Sequence, residues 1–132
     1  MGRRFFIAGF TYGLFGVILG AFATHGLKPL LSNEALISFE TGVRYQIYHS
    51  FLLILIGVFK SAGMFPKLNF NLMFYLLAIG VFLFSGSIYL LATNGLTAVN
   101  FHYLGPVTPV GGSLLILCWM LLGVAAIKLK KK

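Results

Sequence analysis

Hydrophobic residues fall into four runs, 5–22, 47–59, 68–91 and 107–127, separated by shorter polar segments. A helix needs about 20 apolar residues to cross a bilayer core of roughly 30 Å, so three of these runs are long enough to span a membrane alone. The second run is several residues too short. Its helix must therefore begin earlier and draw the polar segment 40–46 into the bilayer.

This pattern predicts an all-α fold, an integral membrane bundle of four transmembrane helices with the second helix extended at its outer end. Ser32 or Asn33 can cap the start of that helix, and Thr108 and Pro109 are expected to open the fourth. We expect one domain, 1–132, with spans at about 5–25, 41–60, 68–91 and 108–128. The composition agrees, since 59% of residues are hydrophobic, 9% are charged and the mean hydropathy is +0.97. A soluble domain of this length could not bury so much apolar surface.

Basic residues are distributed unevenly between the two ends of the predicted helices. With four spans the termini share one side, and that side carries eight of the ten Lys and Arg residues, leaving Lys28 and Arg44 on the other. The positive-inside rule then predicts that both termini are cytoplasmic. The net charge of +8 is not gathered into one continuous patch, so nucleic acid is not expected as a partner.

Unusual residues of all four predicted helices share one depth. A helix rises 1.5 Å per residue, so distances along each helix can be counted from its basic end. At about 24 to 27 Å from that end, each helix has one such residue: Gly20, Arg44, Ser85 and Gly111. Tyr48 and His49 lie slightly deeper. The sequence therefore predicts a polar layer in the outer half of the bilayer.

Glycine is spaced along the first predicted helix so that one face has no side chains. Gly9, Gly13, Gly16 and Gly20 follow one another at intervals of four, three and four residues. Such faces let helix backbones approach closely in lipid. We expect a structural contact with a neighbouring helix, of this chain or of another copy. The pair Gly111 and Gly112 invites close backbone contact or a ligand in the fourth helix.

Arg44 is the charged residue that the second helix carries into the bilayer. Glu40 precedes it by four residues, the favourable order for a helical ion pair. An unpaired Arg in lipid costs roughly 2.5 kcal/mol or more, so Arg44 needs Glu40, a carbonyl, water or a lipid phosphate. We predict that Arg44 points inward at the level of Ser85, Ser87 and Gly111. Glu40 is expected to hold it together with either a backbone carbonyl of the third or fourth span or a bound anionic group. Simple snorkelling to the headgroups is the alternative.

All three histidines, His25, His49 and His102, lie on the outer side of the predicted topology. None is paired at four residues with another ligand, the chain has no Asp, and Glu34 and Glu40 are its two acids. We therefore expect no metal site and no cofactor. His49 is the deepest histidine. A purely structural role for it would be a hydrogen bond to a Ser or Tyr of a neighbouring helix. The candidate ligand or lipid-binding set is Arg44, Tyr48, His49, Ser85, Ser87 and His25.

Four stretches resemble a known family when they are taken in order: 20–27 (GAFATHGL), 41–49 (TGVRYQIYH), 84–89 (FSGSIY) and 105–112 (GPVTPVGG). They are similar to the signatures of the small membrane proteins called the domain of unknown function 423 family. The resemblance extends over essentially the whole chain. It implies a four-helix protein of the bacterial inner membrane and brings no established activity.

Three classes of function are compatible with these features. The one we expect is a noncatalytic accessory subunit or lipid-binding scaffold. Its expected partners are membrane lipids, and a larger membrane protein complex or further copies of the chain are the open alternatives. An oligomeric transporter or channel for small solutes is an alternative, although deep acids are missing from the cytoplasmic half. A lipid- or quinone-acting enzyme is another, with His49 as general base and Arg44 holding an anionic group. We lean against enzymatic activity, because a nucleophile and base within reach cannot be identified.

Overall fold

The computed structural model describes residues 1–130 and contains four long α-helices. They are α1 (Arg3–Phe22), α2 (Asn33–Ser61), α3 (Phe70–Ala92) and α4 (Val107–Ile127). A π-helical turn, Ala23–Leu27, continues α1, and two short 3-10 turns lie between α3 and α4. No strand occurs within the described residues, and each of the four helices is long and apolar enough to cross a membrane. The predicted all-α bundle of four transmembrane helices is confirmed.

Local sequence sets the start of α2 but not that of α4. Ser32 caps α2, because its Oγ accepts a hydrogen bond from the Ala35 amide at 3.2 Å. The 29 residues of α2 extend it to about 43 Å, longer than a bilayer core. The predicted start of α4, with Thr108 as cap and Pro109 as first residue, was wrong by two positions, since Pro106 is the cap and the helix begins at Val107. Thr108 is not its cap, because the Thr108 hydroxyl is used in a contact with α3.

Helix α2 lies at the centre of the bundle. It packs against α1 on one side and α3 on the other, while α4 packs mainly on α3. Half of the apolar span of α2 is buried, against 17% for the spans that contain α1 and α4. The main hydrophobic core is formed at the α1, α2, α3 and α4 interfaces by Phe5, Leu53, Ile56, Met73, Leu77 and Cys118, among others.

The glycine face of α1 is the surface that contacts α2 of the same chain. A Cβ on Gly9 would lie 2.9 Å from the Ser50 carbonyl oxygen, and one on Gly16 would lie 2.7 Å from the Ile47 side chain. Gly13 has more room, with Ser50 Oγ at 3.5 Å. Along this glycine face, α1 therefore packs most tightly on α2 at Gly9, against backbone, and at Gly16, against a side chain.

The other glycines predicted to make close helix contacts, Gly20, Gly111 and Gly112, differ in how closely they approach their neighbours. At Gly111, a Cβ would overlap the Phe84 backbone nitrogen, so α4 lies directly on the backbone of α3 there. The neighbouring Gly112 makes ordinary contact with the Phe84 ring at 3.4 Å, and Gly20 faces Val43 at 3.3 Å. Gly111 is thus the glycine on which the approach of α4 to α3 depends.

Candidate functional site

The polar layer is centred on Gln46, which is 4% exposed in α2. Its Nε2 donates to the Tyr12 carbonyl at 2.8 Å, and its Oε1 accepts from the Tyr89 hydroxyl at 2.6 Å. The Tyr12 hydroxyl in turn donates to the Ala78 carbonyl at 2.6 Å. These three bonds connect α1, α2 and α3 through one buried side chain, Gln46, and two half-buried ones, Tyr12 and Tyr89.

Two serines of α3 extend this layer toward its neighbours. Ser85 is 1% exposed and its Oγ donates to the Gly42 carbonyl of α2 at 2.7 Å. Ser87 Oγ lies 2.5 Å from Thr108 Oγ1 of α4 and 3.0 Å from the Phe84 carbonyl. Both serines therefore connect α3 to a neighbouring helix.

His49 is buried in α2 with both ring nitrogens engaged. Nδ1 lies 2.7 Å from the Tyr45 carbonyl, and the Trp119 indole Nε1 donates to His49 Nε2 at 3.0 Å. A carbonyl can only accept and an indole N–H can only donate. The imidazole is consequently neutral, with its proton on Nδ1 and the lone pair of Nε2 occupied by Trp119. His49 has no nitrogen free to act as a base toward a substrate.

Arg44 lies exposed on the outer surface of α2, and the inward orientation predicted for it is wrong. Its Nη2 donates to Thr41 Oγ1 at 3.1 Å rather than to Glu40. The cause is helical geometry: at about 100° per residue, Arg44 is turned well away from the buried face that carries Gly42 and Gln46. Tyr48, one turn farther along the same exposed side, is 55% exposed.

The remaining histidines are not part of the buried layer. His25 is exposed in the π-helical turn after α1, and His102 is exposed in a 3-10 turn before α4. Across residues 1–130, no group of three or more His, Cys, Asp or Glu side chains could hold a metal ion. The structure therefore separates the predicted set into buried members, His49, Ser85 and Ser87, and exposed members, Arg44, Tyr48 and His25.

Several residues of the layer were missed as candidates from the sequence. Tyr12, Tyr89 and Trp119 resemble ordinary aromatic residues of membrane helices, and their partners lie 34 to 70 residues away along the chain. Gln46 did carry a signal, because it is the single Gln of the chain and lies in a predicted span. A buried amide in lipid has to find hydrogen-bond partners, so Gln46 could have been recognised.

Within residues 1–130, every buried side-chain nitrogen or oxygen has a hydrogen-bond partner. The fold and the layer define a small multi-pass α-helical membrane protein whose internal polar groups connect its helices. A family model described as "Protein of unknown function (DUF423)" matches residues 19–112, and the chain belongs to this family.

The relatives are membrane proteins by name. The chain is 40% identical to the UPF0382 membrane protein SH2409 of Staphylococcus haemolyticus over 126 residues, which covers 96% of this chain and 97% of the relative. It is 35% identical to the UPF0382 membrane protein YwdK of Bacillus subtilis, over 96% of this chain and 98% of the relative. A UPF0382 membrane protein of Haemophilus influenzae is 34% identical, with 89% of each chain covered. No solved structure matches the chain at a significant level.

Proposed function

We propose that this protein is a noncatalytic lipid-binding scaffold of the bacterial inner membrane. One observation about the buried layer carries the proposal. The polar side-chain atoms of Gln46, His49, Ser85 and Ser87 all form hydrogen bonds within the chain. A catalytic site needs a base or donor available to a substrate. The enzyme alternative assigned the role of base to His49, whose Nε2 is held by Trp119.

The exposed part of α2 supplies the lipid contact. Arg44 and Tyr48 present a guanidinium and a phenol on the same side of this helix, and both are exposed. By helical rise Arg44 lies about 6 Å beneath the outer boundary of a 30 Å core. Thr41 accepts one hydrogen bond from this cation, and the phosphate of an outer-leaflet phospholipid is within reach of the remaining donors at the end of its long side chain. Arg44 and Tyr48 thus form an outer lipid contact.

Substitution of Arg44 tests this proposal. A planar guanidinium can hold a phosphate through two parallel hydrogen bonds, which an ammonium cannot do. We expect Arg44→Lys to lose co-purifying phospholipid nearly as completely as Arg44→Ala, measured by native mass spectrometry after release from membranes. Lys28→Ala, which removes the other basic residue of that side, is the matched control and should keep the lipid. Full lipid retention in Arg44→Lys would contradict the proposal and show that Arg44 only extends to the headgroups as a snorkelling side chain.

Native purification separates this proposal from its alternatives. A scaffold of this kind should be recovered with phospholipid and without a second protein in fixed ratio. A stoichiometric partner protein would instead identify an accessory subunit of a larger complex. Solute flux into liposomes that contain only this protein would favour the transporter.

A further inference from the structure

A second lipid-facing feature lies at the opposite end of the bundle from Arg44. A cleft of about 670 Å³ opens between the start of α3 and the end of α4. Its volume falls within the range of about 300 to 1,000 Å³ that is usual for small-molecule sites. Its walls are apolar where the two helices face each other, at Leu72, Met73, Leu121, Val124 and Ala125.

The same cleft has a basic rim. Lys67 lies before α3, and Lys128 and Lys130 lie after α4, so three lysines from two separate segments line one opening. All three are exposed, and no acidic residue lines the cleft. An apolar interior with a cationic rim at the end of a membrane bundle matches a molecule that has an anionic head and a hydrocarbon tail.

The wall of the cleft nearest α2 is a structured turn. Phe65 adopts φ 55°, a conformation that side chains other than Gly rarely take, and its ring packs on Phe59 at 5.0 Å between centroids. The Leu68 amide bonds the Phe65 carbonyl at 2.9 Å, and Asn69 caps α3 through the Leu72 amide at 3.1 Å. The backbone at Lys67 is therefore held within a hydrogen-bonded turn.

We propose that this cleft binds an anionic phospholipid of the leaflet at the basic end of the bundle. The acyl chain lies between α3 and α4, and the phosphate is held by Lys67, Lys128 and Lys130. Basic pockets between transmembrane helices on the cytoplasmic side recognise anionic lipid headgroups in this way. This site shares no residue with the Arg44 and Tyr48 surface, so an experiment can disprove either lipid site without disproving the other.

Charge dependence is the first test. Delipidated protein in detergent is titrated with dioleoylphosphatidylglycerol and, in parallel, with zwitterionic dioleoylphosphatidylcholine, and bound lipid is counted by native mass spectrometry. We expect the anionic lipid to bind more tightly, and Lys128→Gln to weaken it about fivefold, equivalent to about 1 kcal/mol. Lys67→Gln and Lys130→Gln should each act similarly. Equal binding of the two lipids by the unaltered chain would overturn the proposal.

Lys60→Gln is the matched control for charge. Lys60 lies at the same end of the bundle, 6.0 Å from the Phe70 ring centroid, and does not line the cleft. It should leave binding of dioleoylphosphatidylglycerol within twofold of the unaltered chain. If Lys60→Gln weakens binding as much as Lys128→Gln, only the general surface charge matters and the cleft has no role.

Blocking the cleft without changing its charge is the second test. Ala125→Phe places a ring among the apolar walls, whereas Ala126→Phe alters the adjacent exposed residue, which does not line the cleft. We expect Ala125→Phe to lower binding of dioleoylphosphatidylglycerol at least tenfold and Ala126→Phe to leave it unchanged. Unfolding temperatures in lipid-free detergent show whether each variant is folded. A folded Ala125→Phe protein with normal binding would overturn the proposal, and if that variant is unfolded the lysine series decides it.

Discussion

Trp119 Nε1 donates a hydrogen bond to His49 Nε2 at 3.0 Å, which joins α4 directly to α2. The two rings also meet edge to face, with centroids 6.0 Å apart. Because α4 otherwise packs mainly on α3, this contact is a polar link between helices that share little other surface.

Trp119→Phe should keep an aromatic ring at this position and remove its donor. His49 Nε2 would then lack its partner, and we expect the free energy of unfolding to fall by about 1 kcal/mol. Thermal unfolding in detergent measures the change. Met120→Leu, at the adjacent exposed residue, is the control and should have no effect. An unaltered unfolding temperature for Trp119→Phe would show that the indole bond is dispensable.

Gln46 and Tyr89 should be energetically coupled. Gln46→Leu and Tyr89→Phe each remove one end of the 2.6 Å bond between α2 and α3. A double-mutant cycle on the free energy of unfolding should give a coupling of about 0.6 to 1.7 kcal/mol, the range of hydrogen bonds between membrane helices. Pairing Gln46→Leu with Tyr103→Phe, at an exposed tyrosine outside the layer, should give no coupling. Strict additivity for Gln46 and Tyr89 would contradict the structure.

The glycine face of α1 should be sensitive at some positions and tolerant at others. Gly9→Ala forces a methyl group against the Ser50 carbonyl and should lower the free energy of unfolding by about 1 to 3 kcal/mol. Gly13→Ala has room for its methyl group and should be neutral or slightly stabilising. Unfolding of both variants in the same detergent gives the comparison. Equal tolerance at Gly9 and Gly13 would mean that α1 and α2 are farther apart than described.

A second pair of glycines makes the same comparison between α3 and α4. Gly111→Ala must displace α4 from the Phe84 backbone, whereas Gly112→Ala adds a methyl group at ordinary distance from the Phe84 ring. We expect a loss of about 1 to 3 kcal/mol for the first and almost none for the second. Differential scanning fluorimetry in detergent would detect this difference. Comparable melting of the two variants would argue against direct backbone packing at Gly111.

Topology can be tested in intact cells. The distribution of basic residues predicts cytoplasmic termini, so the α3–α4 connection should face outward and the α2–α3 turn inward. In a Cys118→Ala background, a membrane-impermeant thiol reagent should label Asn100→Cys and not Ser61→Cys. The reverse labelling pattern would invert the orientation, and with it the leaflets assigned to Arg44 and to the basic cleft.

The sequence by itself determined the four helices and predicted that one residue of each lies at a common level. Hydropathy and the rise of a helix are local properties, so they placed Ser85 and Gly111 at one level before any packing was known. The cap at Ser32 and the glycine face of α1 were also readable from residue type and spacing. Thr108 marks the limit of such reasoning, because its hydroxyl has a partner on another helix that outweighs its capping preference.

Only the tertiary structure decided which partners the polar side chains have. Arg44 and Gln46 are two positions apart and therefore lie on nearly opposite faces of α2, and the rotation of the helix in the bundle decided that the face of Gln46 is the buried one. The bond of His49 to Trp119 joins residues separated by 70 positions in the chain. Such pairings depend on how four helices rotate and approach one another, which is the sum of many small packing terms and is not encoded in any single stretch of the chain.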